Sequence, residues 1–142
     1  MNDSQTRDLT VAGIALRFGI VALTLGTAYI HSTLGGALFT LNAIGYVVAA
    51  IAMIAPITLA VRFRWVVRLG LIGYAATAIT MWAIMGPYYS TAYLAKGIEI
   101  ALIFLLVVDF LRADGNPVRV VKSELSLLAS KLGRGASAGA SA

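Results

Sequence analysis

Phe18 to Val61 reads FGIVALTLGTAYIHSTLGGALFTLNAIGYVVAAIAMIAPITLAV and contains no Asp, Glu, Lys or Arg. These 44 residues decide the fold class, because a helix needs about 20 mostly apolar residues to cross roughly 30 Å of hydrocarbon. The stretch is therefore long enough for two membrane-spanning helices joined by a short turn. A second uncharged stretch of 27 residues, from Leu69 to Ala95, can supply a third. Apolar sequence continuing to Leu111 predicts a fourth.

The composition of the chain agrees with a membrane protein. Of its 142 residues, 60% are hydrophobic and only 12% are charged, which leaves too little polar surface for a soluble domain. The absence of cysteine excludes disulfides, thiolate metal ligands and cysteine nucleophiles. The first ten residues, MNDSQTRDLT, lack the positive run of a secretory signal, so we expect the first helix to be retained.

The turn residues place the four spans at about 11–30, 37–60, 65–85 and 91–111, within a membrane domain of residues 1–112. His31–Gly36 is rich in Gly, Ser and Thr, and predicts a tight turn between the first two spans. Gly86–Ser90 predicts another between the last two. Pro56 lies inside the second span, where we expect it to kink the helix. The fold class predicted is an all-α, four-helix antiparallel transmembrane bundle with a C-terminal cytoplasmic amphipathic helix.

The basic residues predict the orientation of these spans in the membrane. All but one flank the ends that an even number of spans places on one side: Arg7, Arg17, Arg62, Arg64, Arg68, Arg112, Arg119, Lys122, Lys131 and Arg134. The positive-inside rule then places both termini in the cytoplasm, and we expect a bacterial inner-membrane protein. The net charge of +5 is a topology signal that also favours contact with anionic lipid rather than with nucleic acid.

Residues 113–132 are predicted to form an amphipathic helix on the cytoplasmic side. Asn116 is suited to cap the helix, with Pro117 in its first position. An apolar stripe then recurs every three or four residues, formed by Val118, Val121, Leu125, Leu128 and Leu132. Such a helix can dock on a partner protein or lie on the inner leaflet, and we favour the leaflet. Residues 133–142 are small and polar, which predicts a disordered tail.

Polar residues inside the predicted spans are the candidates for a functional site. Glu99 lies about 12 Å below the outer end of the fourth span, where a charge is costly and seldom idle. Lys96 precedes it by three residues on the same helical face, and can pair with it or extend towards the headgroups. The other spans supply further members of this candidate polar pocket: His31, Asn42, Tyr46, Thr77 and Thr80. A Glu–Lys pair that only fixes helix packing is the alternative, and the remaining members are also typical of interhelical hydrogen bonding.

No catalytic motif is present in the sequence, and a lone histidine cannot supply a bis-histidine haem site. We therefore predict a protein that is not an enzyme and that has no cofactor and no metal site. The leading hypothesis is an accessory or scaffold subunit of a membrane assembly, with the lipid bilayer, other membrane-protein subunits or a second copy of the chain as partners. The alternative is a small-molecule or proton-coupled transporter or binder that uses the Glu–Lys pocket.

Overall fold

The computed structural model describes residues 11–56, 58, 62–86, 88–113 and 115–139. Within these residues five α-helices follow one another: α1 (Val11–Thr33), α2 (Ala37–Ile54), α3 (Arg64–Met85), α4 (Ser90–Ala113) and α5 (Pro117–Gly139). No strand occurs among the residues described, so the all-α class predicted from the sequence is confirmed. Residues 1–10 of the predicted membrane domain, including Arg7, lie outside the described residues.

The turn between α1 and α2 is short because two glycines adopt backbone angles that other residues avoid. Gly35 has φ 72° and Gly36 has φ 86°, both in the left-handed region where a side chain would be strained. Ser32 and Thr33 donate hydrogen bonds from their hydroxyls to the carbonyls of Tyr29 and Ile30, which satisfies part of the helix end. The turn brings α2 back alongside α1, and the two helices share the most extensive contact in the described chain.

The second helix ends earlier than the sequence predicted. α2 stops at Ile54, whereas the predicted span continued to residue 60 with a kink at Pro56. The reason is local: a residue that precedes proline is pushed out of the helical region, and Ala55 has φ −56° and ψ 124°. Pro56 therefore terminates the helix rather than bending it.

Four of the helices pack in a cycle in which each contacts two others. α1 contacts α2 and α4, while α3 contacts the same two helices from the opposite side. The core between the four helices is formed mainly by apolar side chains: Ile20, Ala28, Tyr46, Met53, Leu71, Leu102 and Leu106. The contact between α2 and α3 is the least extensive of the four. This uneven packing leaves a gap between α2 and α3.

Three helices, α1, α2 and α3, are long and apolar enough to cross a membrane. Their apolar side chains also point outward: Phe18 is 72% exposed and Leu38 is 76% exposed. Such surfaces suit a lipid environment and would be unfavourable in water. α4 is as long as these helices but carries Lys96, Glu99 and Asp109, which are all buried against the neighbouring helices.

The last helix, α5, has only marginal contact with the other described helices. The Oδ1 atom of Asn116 accepts a hydrogen bond from the N–H of Val118 at 3.0 Å, so the predicted cap is present. Val118 and Leu125, from the predicted apolar stripe, are 63% and 60% exposed. The side chains of Leu128 and Leu132 lie outside the described set.

α5 also extends beyond the predicted end at residue 132 and reaches Gly139. The sequence predicted a disordered tail at residues 133–142, but the chain is helical as far as residue 139. Residues 140–142 lie outside the described ones. Alanine and arginine have high helix propensity, which favours this continuation despite the glycines.

Candidate functional site

The centre of the candidate site is the carboxylate of Glu99, which is completely buried among three helices. Its Oε2 atom accepts a hydrogen bond from the Lys96 ammonium at 2.7 Å. Its Oε1 atom accepts hydrogen bonds from the hydroxyls of Thr27 on α1 and Tyr46 on α2, each at 3.2 Å. All three partners can donate hydrogen bonds to the carboxylate. The network satisfies the charge that burial would otherwise make costly.

Lys96 turns into the protein rather than towards the headgroup region. One turn of α4 separates it from Glu99, so both side chains share a helical face. The ammonium also donates to the backbone carbonyl of Ala78 on α3 at 3.3 Å, and the residue is 7% exposed. The contact ties α4 to α3. The extended conformation that the sequence allowed is therefore not the one observed.

His31 sits beside this pair and has a defined tautomer. Its Nδ1 atom lies 2.8 Å from the backbone carbonyl of Thr27, and because a carbonyl can only accept, Nδ1 carries the proton. The other ring nitrogen, Nε2, lies 3.8 Å from Oε1 of Glu99. In this tautomer Nε2 points a lone pair towards the carboxylate.

Two tyrosines connect the network to the α2–α3 gap. The ring of Tyr46 lies 5.6 Å from that of His31 and 4.9 Å from that of Tyr74, between ring centres. Tyr74 donates its hydroxyl to the backbone carbonyl of Asn42 at 3.2 Å. This approach requires glycine at position 45, because a Cβ built there would lie 2.7 Å from the Tyr74 oxygen. Gly45 therefore leaves room for the Tyr74 hydroxyl beside α2, next to the gap.

A cavity of about 500 Å³ occupies this gap at the end of the helices where the α1–α2 and α3–α4 turns lie. Its polar lining includes His31, Asn42, Thr77 and Lys96, and the rest is mostly apolar or aromatic. Leu38 and Met85 also line it and are 76% and 72% exposed, so the cavity is open at its rim. A concave, mainly apolar space with a few converging polar groups is typical of a small-molecule site.

The seven residues singled out from the sequence fall into three groups. Glu99, Lys96, His31 and Tyr46 form the buried network. Asn42 and Thr77 line the cavity without a contact to Glu99 among the described interactions. Thr80 belongs to neither group, since its exposed hydroxyl donates to the carbonyl of Ala76 in its own helix. Thr77 bonds in the same way to Gly73.

The structure contains a second buried ion pair, which was not predicted from the sequence. Arg68 on α3 donates from Nε to Oδ2 of Asp109 on α4 at 2.6 Å, and both side chains are buried. The signal was available, because Asp109 lies inside a predicted span and an acid there needs a partner. In the sequence, Arg68 served only as one of the basic residues that predict the orientation of the spans. The pair joins α3 to α4 away from the cavity, which suits a structural role.

The comparisons with known proteins give no family for the chain. No protein-family model matches it, and no match was found among curated proteins or solved structures. Among the described residues, no group of three or more His, Cys, Asp or Glu side chains is placed to hold a metal ion. The chemistry of the site must therefore be argued from its own groups: one ammonium, one carboxylate, one imidazole and an open apolar cavity.

Proposed function

We propose that the protein is a multi-pass membrane protein that binds a small amphipathic molecule in the cavity between α2 and α3. The observation that carries this proposal is the convergence of Lys96 and His31 on the wall of an otherwise apolar cavity. A buried ion pair that served only to hold helices together would have no need of an open space beside it. This geometry favours the binder hypothesis over the accessory-subunit hypothesis.

The cavity favours binding from one side over passage through the protein. Beyond the ion pair, Leu102, Leu106 and Met53 are completely buried and fill the space between the helices. They belong to the core cluster of the described residues. Proton-coupled transport would need this core to open, whereas binding needs no rearrangement.

In this proposal all four packed helices cross the bilayer, with both termini in the cytoplasm of a bacterial cell. α4 is suited to span because its charged residues at 96, 99 and 109 face the other helices, while Ile100 and Phe104 are 59% and 67% exposed. The basic residues set the orientation. A reporter fused after Ala142 is expected to be active only in its cytoplasmic form, and one inserted at Ser32 only in its external form. Labelling of both positions from both sides would contradict a single orientation.

Binding in the cavity can be tested with a fatty alcohol that carries bromine at its tail, ω-bromoundecanol. Bromine quenches indole fluorescence on contact, and Trp82 lines the cavity. A Trp65→Phe background leaves Trp82 as the only indole in the chain. In nanodiscs of neutral phosphatidylcholine, we expect a saturable component of quenching in addition to the linear component from probe in the bilayer.

A matched pair of variants assigns the saturable component to the cavity. Thr77→Phe puts a ring into the lining and is expected to abolish it. Thr80→Phe makes the same change one turn along α3, outside the lining, and is expected to leave it unchanged. Both hydroxyls bond only to their own helix among the described contacts, so the two changes cost similar stability. Equal loss in both variants, or no saturable component in the parent, would refute the proposal.

In the same proposal, α5 lies on the inner leaflet of the bilayer. Its uncovered apolar side chains, Val118 and Leu125, enter the inner leaflet, and its basic residues favour anionic lipid there. Changing Val121 and Leu125 to Asp is expected to expose α5 to protease in anionic vesicles while the four spans stay protected. Unchanged protection would contradict a helix held by lipid.

The accessory-subunit hypothesis stays a prediction from the sequence. Its test is purification in mild detergent after crosslinking in the native membrane. Stable association with one membrane-protein partner would support it. A monodisperse protein that never co-purifies with a partner would count against it.

A further inference from the structure

We infer that the ligand of the α2–α3 cavity is a single-chain acidic amphiphile, with an anionic headgroup on Lys96 and an apolar chain that extends to the rim. The inference rests on the proposed function and narrows it to one class of ligand.

Lys96 is the one charged side chain in the described lining of the cavity. Lys96 and His31 both line the cavity, whereas Glu99 is completely buried behind Lys96 and does not. No Asp or Glu occurs in the described lining. Two acceptors are described for the Lys96 ammonium, Oε2 of Glu99 and the carbonyl of Ala78. Three N–H groups are available on an ammonium, so one can serve a ligand. An anionic headgroup can accept a hydrogen bond from this ammonium, whereas an amine would place a second cation beside it.

The depth of these groups fixes the direction of the ligand. Lys96 and His31 are 7% and 3% exposed, while the rim residues Leu38 and Met85 are largely exposed. A headgroup must therefore enter first and lie deepest. The chain behind it meets the apolar lining, including Met81 and Trp82, and reaches the rim. A molecule with one chain fits a cavity of about 500 Å³ with one opening, which lies within the usual size range for small-ligand sites.

The headgroup also has to supply the selectivity. A ligand that comes from the bilayer leaves hydrocarbon that is as apolar as the cavity lining, so its chain gains little by moving. A charge-assisted hydrogen bond to a partly desolvated ammonium is stronger than a neutral one. We therefore expect an acid to bind about tenfold more tightly than the matching alcohol.

The test compares three probes that differ only in the headgroup: ω-bromoundecanoate, ω-bromoundecanol and ω-bromoundecylamine. Each is titrated into the full chain with Trp82 as its only indole, in neutral nanodiscs. The Thr77→Phe variant supplies the background for each probe, because it accounts for quenching from the bilayer. The expected order of affinity is acid, then alcohol, then amine.

The outcomes separate the ligand class from the proposed function. Equal affinity of acid and alcohol, or tightest binding of the amine, would overturn the acidic class and leave binding in the cavity intact. Saturable quenching by none of the three would overturn both.

A double variant tests the contact itself. Lys96→Met combined with Glu99→Gln removes the cation and its partner together, so that no buried charge is stranded. The preference of about tenfold for the acid over the alcohol is expected to disappear. Retained acid preference would overturn the role of Lys96. The probe series on the parent protein decides the ligand class even where the double variant does not fold.

Discussion

Replacement of Glu99 by glutamine is expected to destabilise the protein by about 3 kcal/mol. The amide cannot satisfy all three donors. If its oxygen takes the position of Oε1, the bonds from Thr27 and Tyr46 remain, but its NH₂ faces the Lys96 ammonium. Loss of a hydrogen bond to a charged group costs about 1.5–3 kcal/mol, and a stranded buried charge raises the cost to about 3–5 kcal/mol. Lys96 borders the cavity and can turn into it, which keeps the value near the lower limit.

The measurement is reversible unfolding in mixed detergent micelles, followed by circular dichroism, for Glu99→Gln, Lys96→Met and the double variant. The double variant is expected to be more stable than either single variant, because the two changes share one interaction. Glu124→Gln on α5 is the matched control and is expected to stay within about 0.5 kcal/mol of the parent. A cost below about 1 kcal/mol for Glu99→Gln, or additive costs in the double variant, would refute the buried ion pair.

Three further changes test other contacts by the same unfolding measurement. Gly45→Ala is expected to cost about 1–2 kcal/mol, because its Cβ would lie 2.7 Å from the Tyr74 oxygen. Gly73→Ala, with no atom within 4 Å of its Cβ, is expected to be neutral or stabilising, and equal effects of the two changes would contradict the contact between Tyr74 and Gly45. Thr27→Val removes one donor to Glu99 and is expected to cost about 1 kcal/mol, and no cost would argue against that bond. Arg68→Met leaves Asp109 buried without its Nε donor and is expected to cost about 3 kcal/mol, most of which returns when Asp109→Leu is added; no recovery would show that the pair is not coupled.

Much of the candidate site could be anticipated because polar residues in apolar helices face one another. Hydrophobic periodicity and the length of the uncharged stretches predicted four of the helices. Polar residues inside such helices are expected to face the interior of the bundle, which placed Glu99, His31 and Tyr46 together. The direction of Lys96 could not be predicted. Both the headgroup region and Glu99 are within reach of its long side chain, and the carbonyl of Ala78, on another helix, contributes to the observed conformation.

The cavity had no signature in the sequence, because it depends on how far α2 and α3 separate. Gly45 accommodates the Tyr74 hydroxyl, whereas Gly70 and Gly73 have no neighbouring atoms within 4 Å of a built Cβ. Small residues permit close approach and do not by themselves produce it. The local effect of Pro56, by contrast, could have been predicted, since the residue before proline avoids the helical region wherever it occurs.

The two buried ion pairs differ in a way that bears on how the chain enters a bilayer during synthesis. Lys96 and Glu99 belong to one helix and neutralise each other without outside help, so α4 carries that pair with it from the start. Asp109 finds its partner on α3, which emerges earlier from the ribosome. Delivery of α4 to the lipid phase alone would leave one acid uncompensated, whereas delivery of α3 and α4 as a hairpin would not. The short turn between them, with Gly86 at φ 66°, holds the two helices together for that step.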